Sequence, residues 1–263
     1  MVTWFMGIDP VLQGFIATMF TYGVTALGAA VVLACKKVNQ KFLDVMMGFS
    51  GGVMIAASYW SLLEPALSLA EELKKNAVLT VGMGFLMGGL FIILSDIFLG
   101  RQEHALLRED AWRRCVLLTT AVTLHNIPEG LAVGVAFGCA AIQGGNDYLM
   151  GAVMLAIGIG LQNFPEGTCI AMPLRREGVS RYKSFFIGQL SGIVEPIAGV
   201  CGVLFALKVQ SALPMALSFS AGAMISVVAL ELIPESFHDN KHLAAVGLLI
   251  GFIMMMVLDV LLG

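Results

Sequence analysis

Eight long apolar runs alternate with short polar stretches along the chain, at about 11–35, 45–66, 77–99, 114–140, 148–172, 184–207, 213–233 and 243–262. Each is near or above the roughly 20 residues that a helix needs to cross a hydrocarbon core. The pattern predicts an all-α integral membrane protein with eight transmembrane helices. The first run is too long for a signal-peptide core and lacks both the positive n-region and a small-residue cleavage site, so it is expected to remain as the first span. No polar stretch is long enough for a folded soluble domain, and the whole of 1–263 reads as one transmembrane domain.

Within that pattern the chain repeats itself. Phe49-Ser-Gly-Gly-Val-Met-Ile55 in the second run recurs as Phe219-Ser-Ala-Gly-Ala-Met-Ile225 in the seventh. The third run ends with Gly84, Gly88, Asp96, Leu99 and Gly100, and the eighth repeats the spacing as Gly247, Gly251, Asp259, Leu262 and Gly263. Phe15-Ile16 and Gly28 in the first run match Phe186-Ile187 and Gly199 in the sixth. The arrangement is 3+2+3: repeat one at 11–100, a central helix pair at 113–173, and repeat two at 184–263. Because five spans precede the second copy, it enters the membrane from the opposite face. Inverted repeats are a signature of secondary transporters, whose substrate site lies near the midplane where the repeats meet.

Composition agrees with a bilayer environment: 58% of residues are hydrophobic and 13% charged, with a mean hydropathy of +0.89, against about 45–50% and 25% in soluble domains. The net charge of −3 decides little, but the basic residues do: 12 of the 15 Lys and Arg fall in loops on one side, from Lys36 and Lys37 to Lys241, and three (Lys74, Lys75, Lys208) on the other. The basic side is expected to be cytoplasmic, with both termini outside. No basic stripe interleaved with aromatics suggests nucleic acid. Cys35, Cys115, Cys139, Cys169 and Cys201 form no CxxC pair and read as small packing residues. The sixteen methionines read as core filler.

The chemistry lies in the central pair. HNIPEG at 125–130 and QNFPEG at 162–167 share Asn, Pro, Glu and Gly at the same register. Residues three and four apart share a helix face, so His125, Asn126 and Glu129 face a common space, as do Gln162, Asn163 and Glu166. Together they offer one imidazole, two carboxylates and three amides, a set suited to a divalent cation. Pro128 and Pro165 remove the bonds to the carbonyls of Leu124 and Leu161, which in lipid must be met by protein, water or an ion. Gly130 and Gly167 are expected to permit close helix approach. A third membrane carboxylate, Glu195, precedes Pro196 and has Val24 as its repeat mate. Each unpaired carboxylate at a span centre costs roughly 2.5–3.5 kcal/mol, and no Lys or Arg lies deep in a span. The missing positive charge is expected to come from a metal ion, or from protons when the site is empty.

These motifs, with Gly188-Gln-Leu-Ser-Gly-Ile-Val-Glu-Pro196, resemble those of the ZIP (Zrt/Irt-like) metal transporters, and most closely their GufA-type branch. The resemblance covers nearly the whole chain. It implies a carrier that moves divalent metal, chiefly Zn²⁺ and also Cd²⁺, Fe²⁺ or Mn²⁺, into the cytoplasm by alternating access through a binuclear site. By position, His125, Glu129, Gln162 and Glu166 would line one metal, and Asn126, Glu129, Asn163, Glu166 and Glu195 the second. It also implies a homodimer in a cell or inner membrane, and a mobile unit of spans 1, 4, 5 and 6 moving against spans 2, 3, 7 and 8. Many relatives have histidine where this chain has Gln162, and some aspartate where it has Asn163, which weakens the expectation of strict zinc selectivity. The histidine-rich cytoplasmic loop common in the family is replaced by 101–114, with His104 alone.

No prosthetic group is called for. An intramembrane metalloenzyme is disfavoured because His125 is the one histidine inside a predicted span and no HExxH exists. A metal-gated receptor would be expected to carry a soluble domain, and a channel remains open. Glu64, Glu231 and Glu235 could attract or relay ions at the two mouths. His238, Asp239 and His242 form a loop cluster, Asp96 and Asp259 are expected to anchor structure, and Met54 and Met224 to pack.

Overall fold

A computed structural model describes residues 7–34, 40–106, 111–176 and 178–262. Cys35, Lys36, Lys37, Arg108 and Gly263, and the side chains of Leu99, Arg101, His104, Cys115 and Leu262, lie outside the described residues. The described residues form helices joined by short turns, with no strand among them. The helices are α1 (Pro10–Ala34), α2 (Gln40–Glu72), α3 (Ala77–Leu106), α4 (Ala111–Gln143), α5 (Asn146–Arg176), α6 (Arg181–Lys208) and α7 (Gln210–Leu261). Six stretches within them are long and apolar enough to cross a membrane, and α4 is a further helix of 33 residues. The protein is a multi-pass membrane protein.

Several helices outrun their apolar runs. α3 continues through the polar residues to Leu106, and α5 to Arg176, because Arg, Gln, Glu and Leu propagate a helix into water as readily as within lipid. The polar segment after residue 233 is also helical, except at Asn240 (φ −127°, ψ 56°), which divides α7 into a first arm ending near 239 and a second arm from 241. Asp44 at the start of α2 fixes that break. It is fully buried, and its Oδ2 accepts from Asn240 Nδ2 at 2.7 Å while Oδ1 accepts from Gln40 Nε2 at 2.9 Å. Asp44→Ala removes the acceptor of the Asn240 amide and is expected to cost about 2 kcal/mol, read as a lower melting temperature in detergent.

The helices turn their polar sides inward. On α1 the buried face carries Gln13, Thr18, Thr21 and Thr25, while Leu12, Phe15, Met19, Phe20 and Leu27 are exposed. In lipid, apolar side chains lose nothing by facing outward, so burial is left to groups that need polar partners or close backbone contact. Glycine supplies the second kind. A Cβ on Gly52 would lie 2.0 Å from the carbonyl oxygen of Leu248, and one on Gly222 would lie 1.9 Å from that of Phe85.

Two groups of helices result. α2 lies along the second arm of α7, and α3 along the first arm. α1 packs on α5 and α6, and α4 on α6. α5 meets α2, and α4 meets the first arm of α7, so the two motif-bearing helices stand at the boundary between groups. π-helical turns interrupt α2 at Ser58–Leu63 and α7 at Val228–Leu232, and Ser58 follows Phe49 at the interval at which Val228 follows Phe219.

Candidate metal-binding site

Both motifs lie inside unbroken helices, Pro128 in α4 and Pro165 in α5. The close approach expected of the motif glycines is present: a Cβ on Gly130 would stand 2.4 Å from the Glu195 carbonyl oxygen, and one on Gly167 2.1 Å from that of Thr25. Glycine thus lets α4 press against α6 and α5 against α1. His125, Asn126, Glu129, Gln162, Asn163 and Glu195 are all buried, and Glu166 is half-buried. The structure brings these seven residues into one polar region on α4, α5 and α6.

Their hydrogen bonds divide them. Gln162 Nε2 donates to Glu129 Oε1 at 2.6 Å and joins the two motifs directly. Asn126 Nδ2 donates to the carbonyl of Ser191 at 3.0 Å, in the 3₁₀ turn Ser191–Ile193 that interrupts α6 just before Glu195. Asn163 Nδ2 donates to both oxygens of Glu195, at 2.9 and 3.0 Å. Every amide in the set thus spends its N–H on protein and is left with its oxygen.

Those oxygens have no donor. Asn126 Oδ1, Gln162 Oε1, Asn163 Oδ1, Glu129 Oε2 and Glu166 Oε2 are all buried without a hydrogen-bond partner, and they make up five of the eight such side-chain atoms among the described residues. Buried acceptors are ordinarily satisfied. Five orphans of one kind, all electron-pair donors, fit a cation and not an anion or a hydrophobic ligand. The carboxylates of Glu129, Glu166 and Glu195 are gathered on three packed helices, and like charges are held together in a low dielectric only where a counter-charge or protons complete the site.

Two predicted residues are placed differently from the rest. Glu195 has no orphan oxygen: besides Asn163, it accepts from the hydroxyls of Thr21 and Thr25 on α1. His125 Nε2 lies 3.0 Å from Glu231 Oε1 on α7, so the imidazole is engaged across the boundary between the helix groups. Among the described residues no three His, Cys, Asp or Glu side chains are arranged to hold an ion as they stand. The site in this arrangement is carboxylate and amide oxygen.

The weaker candidates scatter. Glu64 and Asp259 line a cavity of about 590 Å³ with Asp147, and Asp259 accepts from Ser61 at 2.6 Å. Its repeat mate Asp96 is exposed and shows no such anchor. Glu235 and His242 are exposed, and His238 pairs with Asp239 at 2.9 Å. Met54 and Met224 are buried in the main apolar cluster. Thr21, Thr25, Ser191 and Asp44 were not singled out from sequence. Thr18, Thr21 and Thr25 form a stripe at helical spacing in an oily run, and that stripe was the available signal.

A sequence profile of the ZIP Zinc transporter family matches residues 102–259. Among curated proteins, the zinc transporter ZIP11 of Homo sapiens is 36% identical over 98% of this chain and 99% of its own length. The zinc transporter GufA of Myxococcus xanthus is 37% identical, covering 95% of this chain and 99% of its own. The zinc transporter ZIPB of Bordetella bronchiseptica is 34% identical over 92% of this chain and 79% of its own length.

Proposed function

The chain belongs to the ZIP zinc transporter family, a family of transporters and not of enzymes, and we propose that it carries divalent metal, Zn²⁺ foremost, into the cytoplasm through the site between α4, α5 and α6. The observation that carries this reading is the set of five buried oxygens without donors at 126, 129, 162, 163 and 166. Oxygen and a single imidazole suit Zn²⁺ and admit Cd²⁺, Fe²⁺ and Mn²⁺, since no thiolate is present to narrow the choice. Glu129 and Glu166 would be shared between two ions. His125 and Gln162 would complete one, and Asn126, Asn163 and Glu195 the other.

The transport cycle follows from the two helix groups. In this reading the two arms of α7 count separately, for eight spans in a 3+2+3 inverted repeat. The packing of α2 on the second arm of α7 has its counterpart in α3 on the first arm, and that of α1 on α5 in α6 on α4. The matching π turns and glycine crossings support the same symmetry. Repeats that pack alike can exchange their arrangements around a site between them, as alternating access requires. In this reading the group α1, α4, α5 and α6 carries the site, the group α2, α3 and α7 stays fixed in a homodimer, and both termini lie outside. Distances across the group boundary that do not change when metal is added would overturn it.

The test of transport is influx of Zn²⁺ into sealed proteoliposomes loaded with a zinc-sensitive dye, with Cd²⁺ and Mn²⁺ as competitors. Saturable influx is expected; metal binding without influx would favour a receptor. In the same assay His125→Ala is expected to weaken Zn²⁺ affinity about tenfold while leaving flux at saturating metal within a few-fold of normal. The lost ligand is neutral, and the carboxylate charge that draws the cation remains.

A further inference from the structure

Glu195 carries more donors than its role as a ligand requires. Its Oε1 accepts from Asn163 at 2.9 Å and from Thr25 Oγ1 at 3.4 Å, and its Oε2 from Asn163 at 3.0 Å and from Thr21 Oγ1. Four contacts close both oxygens, while the neighbouring carboxylates Glu129 and Glu166 each keep one open. Gly192 leaves room for this arrangement, since a Cβ there would lie 3.1 Å from both Glu195 Oε1 and Thr25 Oγ1.

The threonines can let go. Each hydroxyl has one proton and two acceptors in reach. Thr21 Oγ1 also lies 2.9 Å from the Thr18 carbonyl, and Thr25 Oγ1 lies 3.2 Å from the Thr21 carbonyl. Rotating the hydroxyl moves the proton from the carboxylate to the helix's own backbone, so no buried donor is orphaned when Glu195 turns to a cation. A valine in either place has the same shape and no such proton. The clamp comes from the first repeat and its target from the second, and the first-repeat mate of Glu195 is Val24.

We propose that Thr21 and Thr25 are positioning residues that form a releasable hydroxyl clamp on Glu195, withholding it from the first cation and yielding it to the second. The inference rests on the transport reading above. Two ions then bind unequally: the first takes the open oxygens of α4 and α5, and the second must compete with the hydroxyls. A site that weakens its own second ligand set unloads readily, so the clamp favours turnover over retention.

The test is Cd²⁺ and Zn²⁺ binding by titration calorimetry on the purified full chain, with influx measured in parallel, for wild type, Thr21→Val/Thr25→Val and Thr21→Ser/Thr25→Ser. Wild type is expected to bind two cations in separated steps. The valine variant should tighten the second step about tenfold, the worth of a hydrogen bond to a charged group, and lower KM and kcat together. The serine variant, which keeps the hydroxyls, should restore both. A merely structural role would reduce folded yield and leave the second affinity and KM alone. That result, or a serine variant that behaves like valine, overturns the proposal. If the double valine variant fails to fold, Thr25→Val alone must show the same direction with a smaller shift. A wild type that binds one cation overturns the clamp alone, whereas a wild type that binds none overturns the transport reading.

Discussion

Glu166→Gln is expected to reduce saturable Zn²⁺ influx at least about 100-fold, and Glu129→Gln to do the same, with the amount of folded protein in the membrane unchanged. Glutamine keeps the volume and one carbonyl oxygen, so packing around α4 and α5 is preserved; what goes is the charge. Of the three carboxylates in the candidate site, Glu129 and Glu166 each present a buried oxygen without a donor. Stripping a dication of water is offset chiefly by anionic ligands, and removing one member of a buried charge pair costs about 3–5 kcal/mol, which is about 100-fold to over 1,000-fold in binding. The added amide proton worsens matters, since it introduces a donor where a cation must sit. Normal flux in both variants would show that the ions pass elsewhere.

His125 belongs to the same argument with the opposite weight. It is held by Glu231 at 3.0 Å, a contact from a helix in the other group, so it must leave that partner before its Nε2 can meet a metal. In the proposed cycle, loading the site would loosen one link across the group boundary. The two glutamates lie on α4 and α5, within the proposed carrier group, and need no such exchange, which is why charge removal is expected to outweigh imidazole removal.

Much of the site was legible because helical spacing is rigid: His125 with Glu129 and Gln162 with Glu166 had to share faces, and the repeated register placed the two sets alike. The glycines were legible for the same reason. The hydrogen bonds that sort ligands from supports were not, because they join residues far apart in the chain. Glu195 reads as a ligand like the others until the hydroxyls of Thr21 and Thr25 are seen against it, and threonine in an oily run looks like packing. His125 reads as a plain ligand until Glu231 arrives from α7. At the ends of spans the apolar pattern stopped short, since helices such as α3 go on into water after hydrophobicity ends.

Gly88→Ala is expected to lower stability by about 3 kcal/mol, whereas Gly82→Ala on the same helix should be neutral or slightly stabilising. A Cβ on Gly88 would stand 1.8 Å from the carbonyl oxygen of Phe219 and 2.7 Å from its carbon, with nothing but backbone to give way. Nothing lies within 4 Å of a Cβ on Gly82. Overpacking against a side chain is relieved by a rotamer change, typically at 1–3 kcal/mol, but a backbone carbonyl inside a helix cannot rotate, so α3 and the first arm of α7 must part along their length. The gain from replacing glycine by alanine in a helix, up to about 1 kcal/mol, is the one contribution left at Gly82. Thermal unfolding of both variants in detergent, followed by light scattering and size exclusion, reads the difference. Equal melting temperatures would mean that the glycine crossing is not tight, and the fixed group of the proposed cycle would lose its stiffness with it.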